Sequence, residues 1–292
     1  MGIMNKTYLN YLLLFLLALI WGSSFILMKK ALIVYSDTQV AALRLLIAFI
    51  ALSPFIIRAF SKVQKKHFFP IILTAFFGNG IPAFLFTKAQ TVLDSSLVGI
   101  LNSLTPLFTL LLAVLFFKNK IKSINIAGIL LGLVGAVYLN IVLSNFEFQL
   151  NFYALLIVLA TLFYAISVNI IKNYLYDLDS VSIASLAFLF LGPFSAIYLF
   201  FTDFTQIYNS EKGIEALFYV IILSVIGTAL ALIIFNKLIK RTSAVFASSV
   251  TYLIPIVAIL WGVFDGEEIS MQFYAGTLII LLAIFMVNKK VK

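Results

Sequence analysis

The sequence predicts an all-α integral membrane protein whose ten transmembrane helices form two inverted five-helix repeats, with the N- and C-termini in the cytoplasm. Three observations predict this fold class. Hydrophobic residues make up 63% of the 292 positions and charged residues only 11%, a balance far outside that of soluble globular domains. Ten apolar stretches are long enough to cross a bilayer, and the loops between them alternate in positive charge.

The apolar stretches follow one another with short polar connections. A helix needs about 20 mostly apolar residues to cross the hydrocarbon core. The predicted spans are 8–32, 38–57, 69–89, 93–117, 123–143, 152–172, 180–200, 214–237, 242–264 and 271–288. No connection is long enough for a soluble catalytic or nucleotide-binding domain. The first span is too long for a signal-peptide core and lacks a small-residue cleavage site, so we expect it to remain as a helix.

Positive charge indicates which side of the membrane each loop occupies. Lys and Arg concentrate in the cytoplasmic loops of membrane proteins. With the N-terminus inside, fifteen of the 20 cations lie in inner segments, four lie outside, and Arg44 lies within the second span. The net charge of +9 therefore reflects topology and affinity for anionic membrane lipids. We expect no nucleic-acid partner, because no basic surface outside the membrane is large enough to follow a phosphate backbone.

Composition excludes several kinds of chemistry. The chain contains no cysteine, which rules out disulfides, thiolate metal sites and cysteine nucleophiles. Its single histidine, His67, lies in a basic inner loop and is expected to be solvated. No Asp or Glu lies deep in a span, although carboxylates are the usual intramembrane proton relays, so the sequence does not support coupling to protons. We expect no catalytic residue, no metal and no cofactor.

The two halves of the chain resemble each other at a constant offset. Gly78 and Gly227 are 149 residues apart, and the same offset relates Phe86-Thr87-Lys88 to Phe235-Asn236-Lys237, and Leu104-Thr105-Pro106 to Leu253-Ile254-Pro255. We therefore divide the chain into repeats 1–146 and 147–292. With five spans in each, the second repeat enters the membrane upside down. Inverted repeats are an architecture of secondary transporters, in which a central site opens to either face.

Several different short motifs are distributed along the whole chain. They are Ile20-Trp21-Gly22-Ser23-Ser24-Phe25, Ala42-Leu43-Arg44-Leu45, Asn102-Ser103-Leu104-Thr105-Pro106, the stretch 127–135, Tyr252-Leu253-Ile254-Pro255 and Gly266-Glu267-Glu268. Together they resemble the EamA-type branch of the drug/metabolite transporter superfamily. The resemblance implies a ten-helix carrier of the bacterial cytoplasmic (inner) membrane that moves amino acids, related metabolites or drugs, commonly outward. That family usually has Glu where this chain has Asn119, so no role is transferred to this position.

Polar side chains near the middle of spans are the candidates for substrate binding, because in hydrocarbon each needs a partner or a water-lined cavity. They occur in spans 1, 3, 4, 6, 8 and 9, which we expect to line a cavity, whereas spans 2, 5, 7 and 10 are expected to face lipid or a partner. The candidate substrate-binding residues are Trp21, Ser24, Asn79, Asn102, Thr105, Tyr164, Ser248 and Tyr252. Packing is the alternative for the hydroxyls, since Ser and Thr often bond to carbonyls of their own helix.

Charged and helix-breaking residues form a second set of candidates. Burying Arg44 in a span costs roughly 2.5–3.5 kcal/mol on insertion scales. A gate or structural charge is the favoured interpretation, and binding of a substrate carboxylate by the planar guanidinium is the alternative. Lys88 is a second gate or structural charge, expected at the outer rim. Pro106 and Pro255 are related by the repeat, and each predicts a kink because proline lacks the backbone donor of a helix interior.

These features predict a secondary transporter rather than an enzyme. The predicted substrate is a small amphipathic metabolite, with amino acids first and drug-like compounds next, exported or exchanged by alternating access around a midplane cavity. A flippase for a lipid-linked intermediate and a membrane-embedded enzyme acting on lipid are the alternatives, although the enzyme needs a catalytic constellation that the residues do not offer. The expected partners are a small-molecule substrate and membrane lipids, with the chain a monomer or weak homodimer.

Overall fold

The fold is helical throughout the described part of the chain. A computed structural model describes residues 2–117, 122–143, 152–264 and 271–287, and no strand occurs among them. We number ten helical segments in chain order: α1 (Gly2–Leu32), α2 (Asp37–Phe60), α3 (Lys65–Gln90), α4 (95–117), α5 (Ser123–Leu143), α6 (Phe152–Tyr174), α7 (Ser180–Phe200), α8 (211–241), α9 (244–264) and α10 (Met271–Val287). A short helix, Phe204–Tyr208, precedes α8.

Seven of these segments are long and apolar enough to cross a membrane. They are α1 to α4 and α6 to α8. The segments α5, α9 and α10 contain shorter apolar helices, Ser123–Gly135, Ala244–Ala258 and Tyr274–Ala283. The chain is therefore a multi-pass helical membrane protein, while the count of ten spans and the cytoplasmic termini stay predictions.

Polar side chains cap the starts of several segments. At the start of α2, the Ser36 hydroxyl accepts from the Gln39 N–H at 3.2 Å, and the Gln39 side chain accepts from the Ser36 N–H at 3.0 Å. This reciprocal pair is a capping box. Asp179 caps α7 by accepting from the Ser182 N–H at 2.9 Å. Such caps satisfy backbone donors that the first turn of a helix leaves unpaired, which explains why the helices begin at these residues.

Two segments contain a π-helical turn at equivalent places. The turns are Phe76–Gly80 in α3 and Val225–Leu230 in α8. Gly78 and Gly227 lie within them, and these glycines are related by the sequence repeat. A π turn redirects the backbone hydrogen bonds of the helix and occurs often at functional sites. The two turns thus create matching irregularities in the third segment of each half.

The segments α4 and α9 are broken near their middles. In α4 two residues separate the helix Ser95–Asn102 from a second helix, Thr105–Phe117. In α9 the 3-10 turn Ser249–Tyr252 separates Ala244–Ser248 from Ile254–Phe264. Pro106 and Pro255 each occupy the second position of the helix after the break, where a missing N–H removes no intrahelical bond.

Close packing joins α5 to α10 at the edge of the bundle. This pair contacts the other segments chiefly through α4 and α9. An ideal Cβ on Gly132 would lie 3.4 Å from the Cβ of Ala283, so the two backbones approach closely, as small residues permit in membrane helices. On the other side of the bundle, α2 packs along α7.

Ion pairs connect the loop after α2 and the first turn of α3 with the loop after α6. The Lys62 Nζ lies 2.5 Å from an oxygen of Asp179, and the Lys66 Nζ lies 2.6 Å from Asp177. His67 Nε2 lies 3.0 Å from the Asp177 carboxylate, while its Nδ1 accepts a backbone N–H at 3.1 Å. Because His67 is buried, the expectation that it is solvated is wrong. Its ring caps α3 and faces a carboxylate that the sequence places more than a hundred residues away.

Candidate functional site

A cavity lies between eight of the helical segments. Its empty space, counted together with its opening to solvent, is about 1070 Å³. Side chains of α1, α2, α3, α4, α6, α7, α8 and α9 line it, whereas no described residue of α5 or α10 does. The expectation that spans 2 and 7 face away is therefore wrong. Apart from Arg44 they contribute apolar residues such as Leu45 and Ala187, which give no polar signal in a sequence.

Aromatic rings supply much of the apolar lining. Trp21 and Phe235 meet edge to face with ring centroids 4.9 Å apart. Phe86 lies near both Phe25 and Tyr164, with centroid distances of 6.0 and 5.7 Å. Aromatic side chains present large apolar surfaces with defined geometry. The cavity therefore suits a molecule with an apolar or aromatic body.

The π turn of α8 is part of the cavity wall. The indole Nε1 of Trp21 donates to the carbonyl of Gly227 at 3.0 Å. An ideal Cβ on Gly227 would lie only 2.6 Å from the Ser24 Oγ, so a glycine is needed where α1 approaches α8. In α3, a Cβ on Gly78 would lie 2.3 Å from the Ser167 Oγ of α6. The first segment of each half thus packs against the π turn of the other half.

Two amides offer hydrogen-bonding groups to the cavity. The Asn79 Nδ2 donates to the carbonyl of Thr74 at 3.3 Å, and the Asn102 Oδ1 lies 3.4 Å from the Thr105 hydroxyl. No described residue bonds to the Oδ1 of Asn79 or to the Nδ2 of Asn102. An amide has more hydrogen-bonding groups than these contacts use, so each retains capacity for a bound molecule. Ser24, by contrast, donates to the carbonyl of Ile20 at 2.9 Å.

Arg44 is the single charged side chain among the described residues that line the cavity. Its Nε donates to the Thr228 hydroxyl at 2.8 Å, and that hydroxyl donates to the carbonyl of Leu223 at 3.0 Å. Tyr164 lies close enough to interact with Arg44 electrostatically. In the described ranges, no carboxylate forms an ion pair with Arg44, and no group of three His, Asp or Glu side chains could hold a metal ion.

Six of the eight candidate binding residues line the cavity. They are Trp21, Ser24, Asn79, Asn102, Thr105 and Tyr164. Ser248 and Tyr252 are buried outside the lining, to which α9 contributes Thr251 instead. The 3-10 turn of α9 has about three residues per turn rather than 3.6, so the face extrapolated from helical spacing is rotated. Lys88 lies away from the cavity, with its Nζ 3.6 Å from Asp37. A role for these residues in binding stays a prediction.

Several lining residues were not among the candidates. They are Phe25, Thr74, Phe86, Ser167, Phe235 and Asn236. Phe86 and Phe235 occupy equivalent positions of the sequence repeat, so the repeat itself carried a signal for them. The buried Oδ1 of Asn236 has no hydrogen-bond partner among the described residues. Ser167 could not be singled out, because its role depends on contact with the distant Gly78.

A comparison with protein families identifies the class of this protein. The model of the EamA-like transporter family matches the chain twice, over residues 9–141 and 151–289. The chain belongs to the EamA-like transporter family. This finding confirms the resemblance that the short motifs of the sequence indicate.

Relatives of this EamA-like protein match along nearly their whole length. It is 23% identical over 283 residues to an uncharacterized transporter of Archaeoglobus fulgidus, covering 96% of this chain and 99% of the relative. It is 25% identical over 288 residues to the uncharacterized transporter YvbV of Bacillus subtilis, covering 96% and 92%. It is 25% identical over 294 residues to the uncharacterized inner membrane transporter YedA of Escherichia coli, covering 94% and 89%. The EamA-like chain is thus a membrane transporter.

A solved structure shares the fold. The chain superimposes on the crystal structure of a protein with a TM-score of 0.73, and the match covers 96% of both chains at 16% sequence identity. At this identity the likeness shows the fold alone. The EamA-like arrangement of helices around the cavity is therefore one that a distant sequence also adopts.

Proposed function

We propose that this transporter is a secondary carrier that exports or exchanges small amphipathic metabolites by alternating access of the central cavity. The observation that carries the proposal is the composition of the cavity. Both halves of the chain line it, and it combines aromatic surface with a few hydrogen-bonding groups. Small-molecule sites usually have this composition, with apolar walls for affinity and a few polar groups for orientation.

Contacts between the halves support alternating access. The α1–α8 contact at Ser24 and Gly227 has a counterpart in the α6–α3 contact at Ser167 and Gly78. If residues 1–146 and 147–292 are inverted repeats, these contacts lie at related positions on opposite sides of the cavity. Loosening one contact while tightening the other then opens the cavity to one face at a time, as inverted-repeat carriers do.

Amino acids are the first substrates to test, followed by drug-like compounds. An amino acid presents a carboxylate to Arg44, an ammonium group to the Oδ1 of Asn79, and a side chain to the aromatic rings around Phe86. The proposed location is a bacterial inner membrane, in keeping with the name of the Escherichia coli relative, an inner membrane transporter. Downhill efflux or exchange fits a cavity whose described lining holds no carboxylate.

Solute counterflow in liposomes tests this proposal. Purified protein is reconstituted, the liposomes are loaded with one unlabelled amino acid, and uptake of the labelled compound is followed against protein-free liposomes. We expect saturable exchange that Asn102→Ala weakens through a raised half-saturation concentration. The matched control is Asn173→Ala, because Asn173 lies outside the cavity lining and donates to the carbonyl of Asn169 at 2.8 Å.

The same experiment can contradict the carrier. Folded protein that exchanges no compound of a broad panel of amino acids, nucleobases and drug-like molecules would exclude transport of small metabolites. The lipid-linked intermediate flippase would then be the function to pursue, with a fluorescent lipid as the probe in the same liposomes.

A further inference from the structure

We propose that the transporter holds its substrate by a carboxylate group and that Arg44 is the residue that binds it. This inference rests on the proposed carrier function and names the chemical class of its substrate, a small organic carboxylate with an apolar or aromatic body. It is carried by three observations: the charge of the cavity lining, the orientation of the guanidinium, and the contrast with other cations of the chain.

The charge of the cavity lining is unbalanced. Arg44 is its only charged group among the described residues, and no described carboxylate pairs with it. An arginine inside a membrane protein normally pairs with an acid or with carbonyls, because an isolated charge at low dielectric is costly. A bound carboxylate supplies the missing negative charge. A guanidinium also binds carboxylates through two parallel hydrogen bonds.

Thr228 fixes the orientation of the guanidinium. Its hydroxyl proton is used in the bond to the Leu223 carbonyl, so its oxygen accepts from the Arg44 Nε at 2.8 Å. No described residue accepts from the two terminal amino groups of Arg44. These groups form the edge that a carboxylate would engage.

Lys172 is a cation whose charged group joins two helices, and it contrasts with Arg44. Lys172 lies at the end of α6, and its Nζ donates to the carbonyls of Ile239 at 3.1 Å and Thr242 at 2.6 Å. Those bonds tie α6 to the end of α8, and they occupy the charged group with protein acceptors. Among the described residues, Arg44 makes one hydrogen bond, through its Nε to Thr228, and its side chain lines the cavity. It therefore differs from a cation that only joins helices.

The same charge pattern determines which part of a substrate contributes affinity. A carboxylate meets Arg44, whereas an ammonium group meets no described carboxylate in the lining. We therefore expect 3-phenylpropanoate to bind at least as tightly as phenylalanine. The amine 2-phenylethylamine and the alcohol 3-phenylpropanol should bind at least about tenfold more weakly, the ratio that losing a charge-assisted hydrogen bond produces.

Tryptophan fluorescence provides a binding assay that does not depend on transport. The chain has two tryptophans: Trp21 lines the cavity, and Trp261 is exposed. In the Trp261→Phe background, Trp21 alone reports on the cavity. We expect 3-phenylpropanoate to change its emission saturably, with the amine and the alcohol much weaker. Equal binding of the alcohol or the amine, or no saturable response to the acid, overturns the proposal.

Variants then assign the preference to Arg44. Arg44→Gln should weaken 3-phenylpropanoate binding at least about tenfold and leave the weak binding of 3-phenylpropanol unchanged. Arg44→Lys, which keeps the charge, should retain part of the preference. The control is Arg58→Gln, because Arg58 is exposed in the last turn of α2 and lies outside the cavity lining. Thermal unfolding shows whether Arg44→Gln is folded. If it is not, the proposal is tested by Arg44→Lys and by the binding of the four compounds to the unaltered chain.

Counterflow separates this proposal from the carrier function. Acid-selective binding through Arg44 without exchange of any compound would keep the carboxylate site and contradict the carrier. Exchange that Arg44→Gln slows, with unchanged affinity for 3-phenylpropanoate, would make Arg44 a gate charge and overturn the proposal. Exchange of neutral compounds with no preference for acids would keep the carrier and also overturn the carboxylate site.

Discussion

Gly227 and Gly78 set how closely helices from the two halves approach each other. An added methyl group at Gly227 would meet the Ser24 Oγ at 2.6 Å, and one at Gly78 would meet both the Oγ and the Cβ of Ser167, at 2.3 and 3.0 Å. Overpacking of this kind typically costs about 1–3 kcal/mol. We expect both alanine variants to lower the thermal unfolding midpoint in detergent. Gly78→Ala should lower it more, because the Cβ of Ser167 cannot rotate away.

Second substitutions test this steric explanation. Adding Ser24→Ala to Gly227→Ala removes the clashing oxygen and leaves the Leu223 side chain at 3.5 Å as the nearest contact. Stability should return close to that of Ser24→Ala alone. Adding Ser167→Ala to Gly78→Ala leaves a contact at 3.0 Å and should rescue only in part. Equal rescue at both sites, or none, would show that the two contacts are not limited by these serines.

The Thr228 hydroxyl should act on binding through Arg44. Thr228→Val removes the oxygen that accepts from the Arg44 Nε, while Thr228→Ser retains it. We expect the valine variant to weaken binding of 3-phenylpropanoate severalfold, measured by Trp21 fluorescence, with 3-phenylpropanol unaffected. The serine variant should bind both compounds as the unaltered chain does. Equal weakening of both compounds by the valine variant would indicate general damage to the cavity instead.

At the residue scale, the sequence predicted polar lining well where helices are regular. Trp21 and Ser24, in the uninterrupted helix α1, were identified by polarity and helical spacing, and both line the cavity. Tyr252 was expected in the cavity wall and lies outside the lining, because it ends a 3-10 turn that helical spacing cannot anticipate. Arg44 was recognisable as an unusual charge, but Thr228, which accepts a hydrogen bond from its Nε, lies 184 positions away. Such contacts depend on the fold rather than on local pattern.

At the scale of elements, the π turns of α3 and α8 lay beyond sequence reasoning. A π turn is stable only where surrounding contacts replace the regular helical bonds. In α8 the carbonyls of Leu223 and Gly227 accept from the side chains of Thr228 and Trp21. The helix propensities of neighbouring residues do not predict these bonds. Gly78 and Gly227 were recognisable in the sequence as equivalent positions of the repeat. Only the fold shows that each lies in a π turn against a helix of the other half.

The prolines after the breaks in α4 and α9 should affect motion more than binding. Alanine at Pro106 or Pro255 restores a backbone N–H, which allows a helical bond to form across the break. We expect each alanine variant to slow counterflow severalfold, while its affinity for 3-phenylpropanoate changes less than about twofold. The control is Pro54→Ala, because Pro54 is exposed in the 3-10 turn of α2. Unchanged exchange in both variants would separate the breaks from the transport cycle.

At the scale of the whole molecule, the ion pairs of Lys62 and Lys66 with the loop after α6 join the two halves. A hydrogen bond from Lys66, aided by His67, lowers the pKa of the Asp177 carboxyl to about 2. Burial opposes ionisation of Asp179, yet hydrogen bonds from Lys62 and Ser182 lower its pKa to about 2 as well. Both values lie below the ordinary 3.8. These carboxylates therefore stabilise the folded protein above about pH 4, and the stabilisation is lost as pH falls towards 2.

Asp177→Asn tests this linkage. The variant should have a lower thermal unfolding midpoint than the unaltered chain at pH 5 to 8. The difference should shrink between about pH 4 and pH 2, because the Asp177 carboxyl of the unfolded chain becomes protonated there before that of the folded protein. Asp94→Asn is the control, since Asp94 is exposed and forms no ion pair among the described residues. A difference that stays constant down to about pH 2.5 would mean that the ionised form of Asp177 is not what stabilises the fold.

The global architecture was largely predictable because hydropathy acts over whole segments. Seven of the predicted spans are found as helices long and apolar enough to cross a membrane, since every backbone group in hydrocarbon must be bonded internally. The participation of α2 and α7 in the cavity was not predictable, because small residues such as Ala184 and Ala187 give the same composition whether they face lipid or a cavity.

The inversion of the two halves can be tested by asking which side of the membrane two equivalent residues face. Val92, in the turn before α4, and Arg241, at the end of α8, are 149 positions apart, and both are exposed. If the halves are inverted and the termini are inside, Val92 faces outward and Arg241 inward. Because the chain has no cysteine, Val92→Cys and Arg241→Cys can each be made without removing a native thiol.

A membrane-impermeant maleimide should label Val92→Cys in intact cells and Arg241→Cys only after permeabilisation. Labelling of both in intact cells, or of neither, would place the equivalent residues on one side and contradict the inverted repeat, whereas an exchanged pattern would keep the inversion and reverse the orientation of the whole chain.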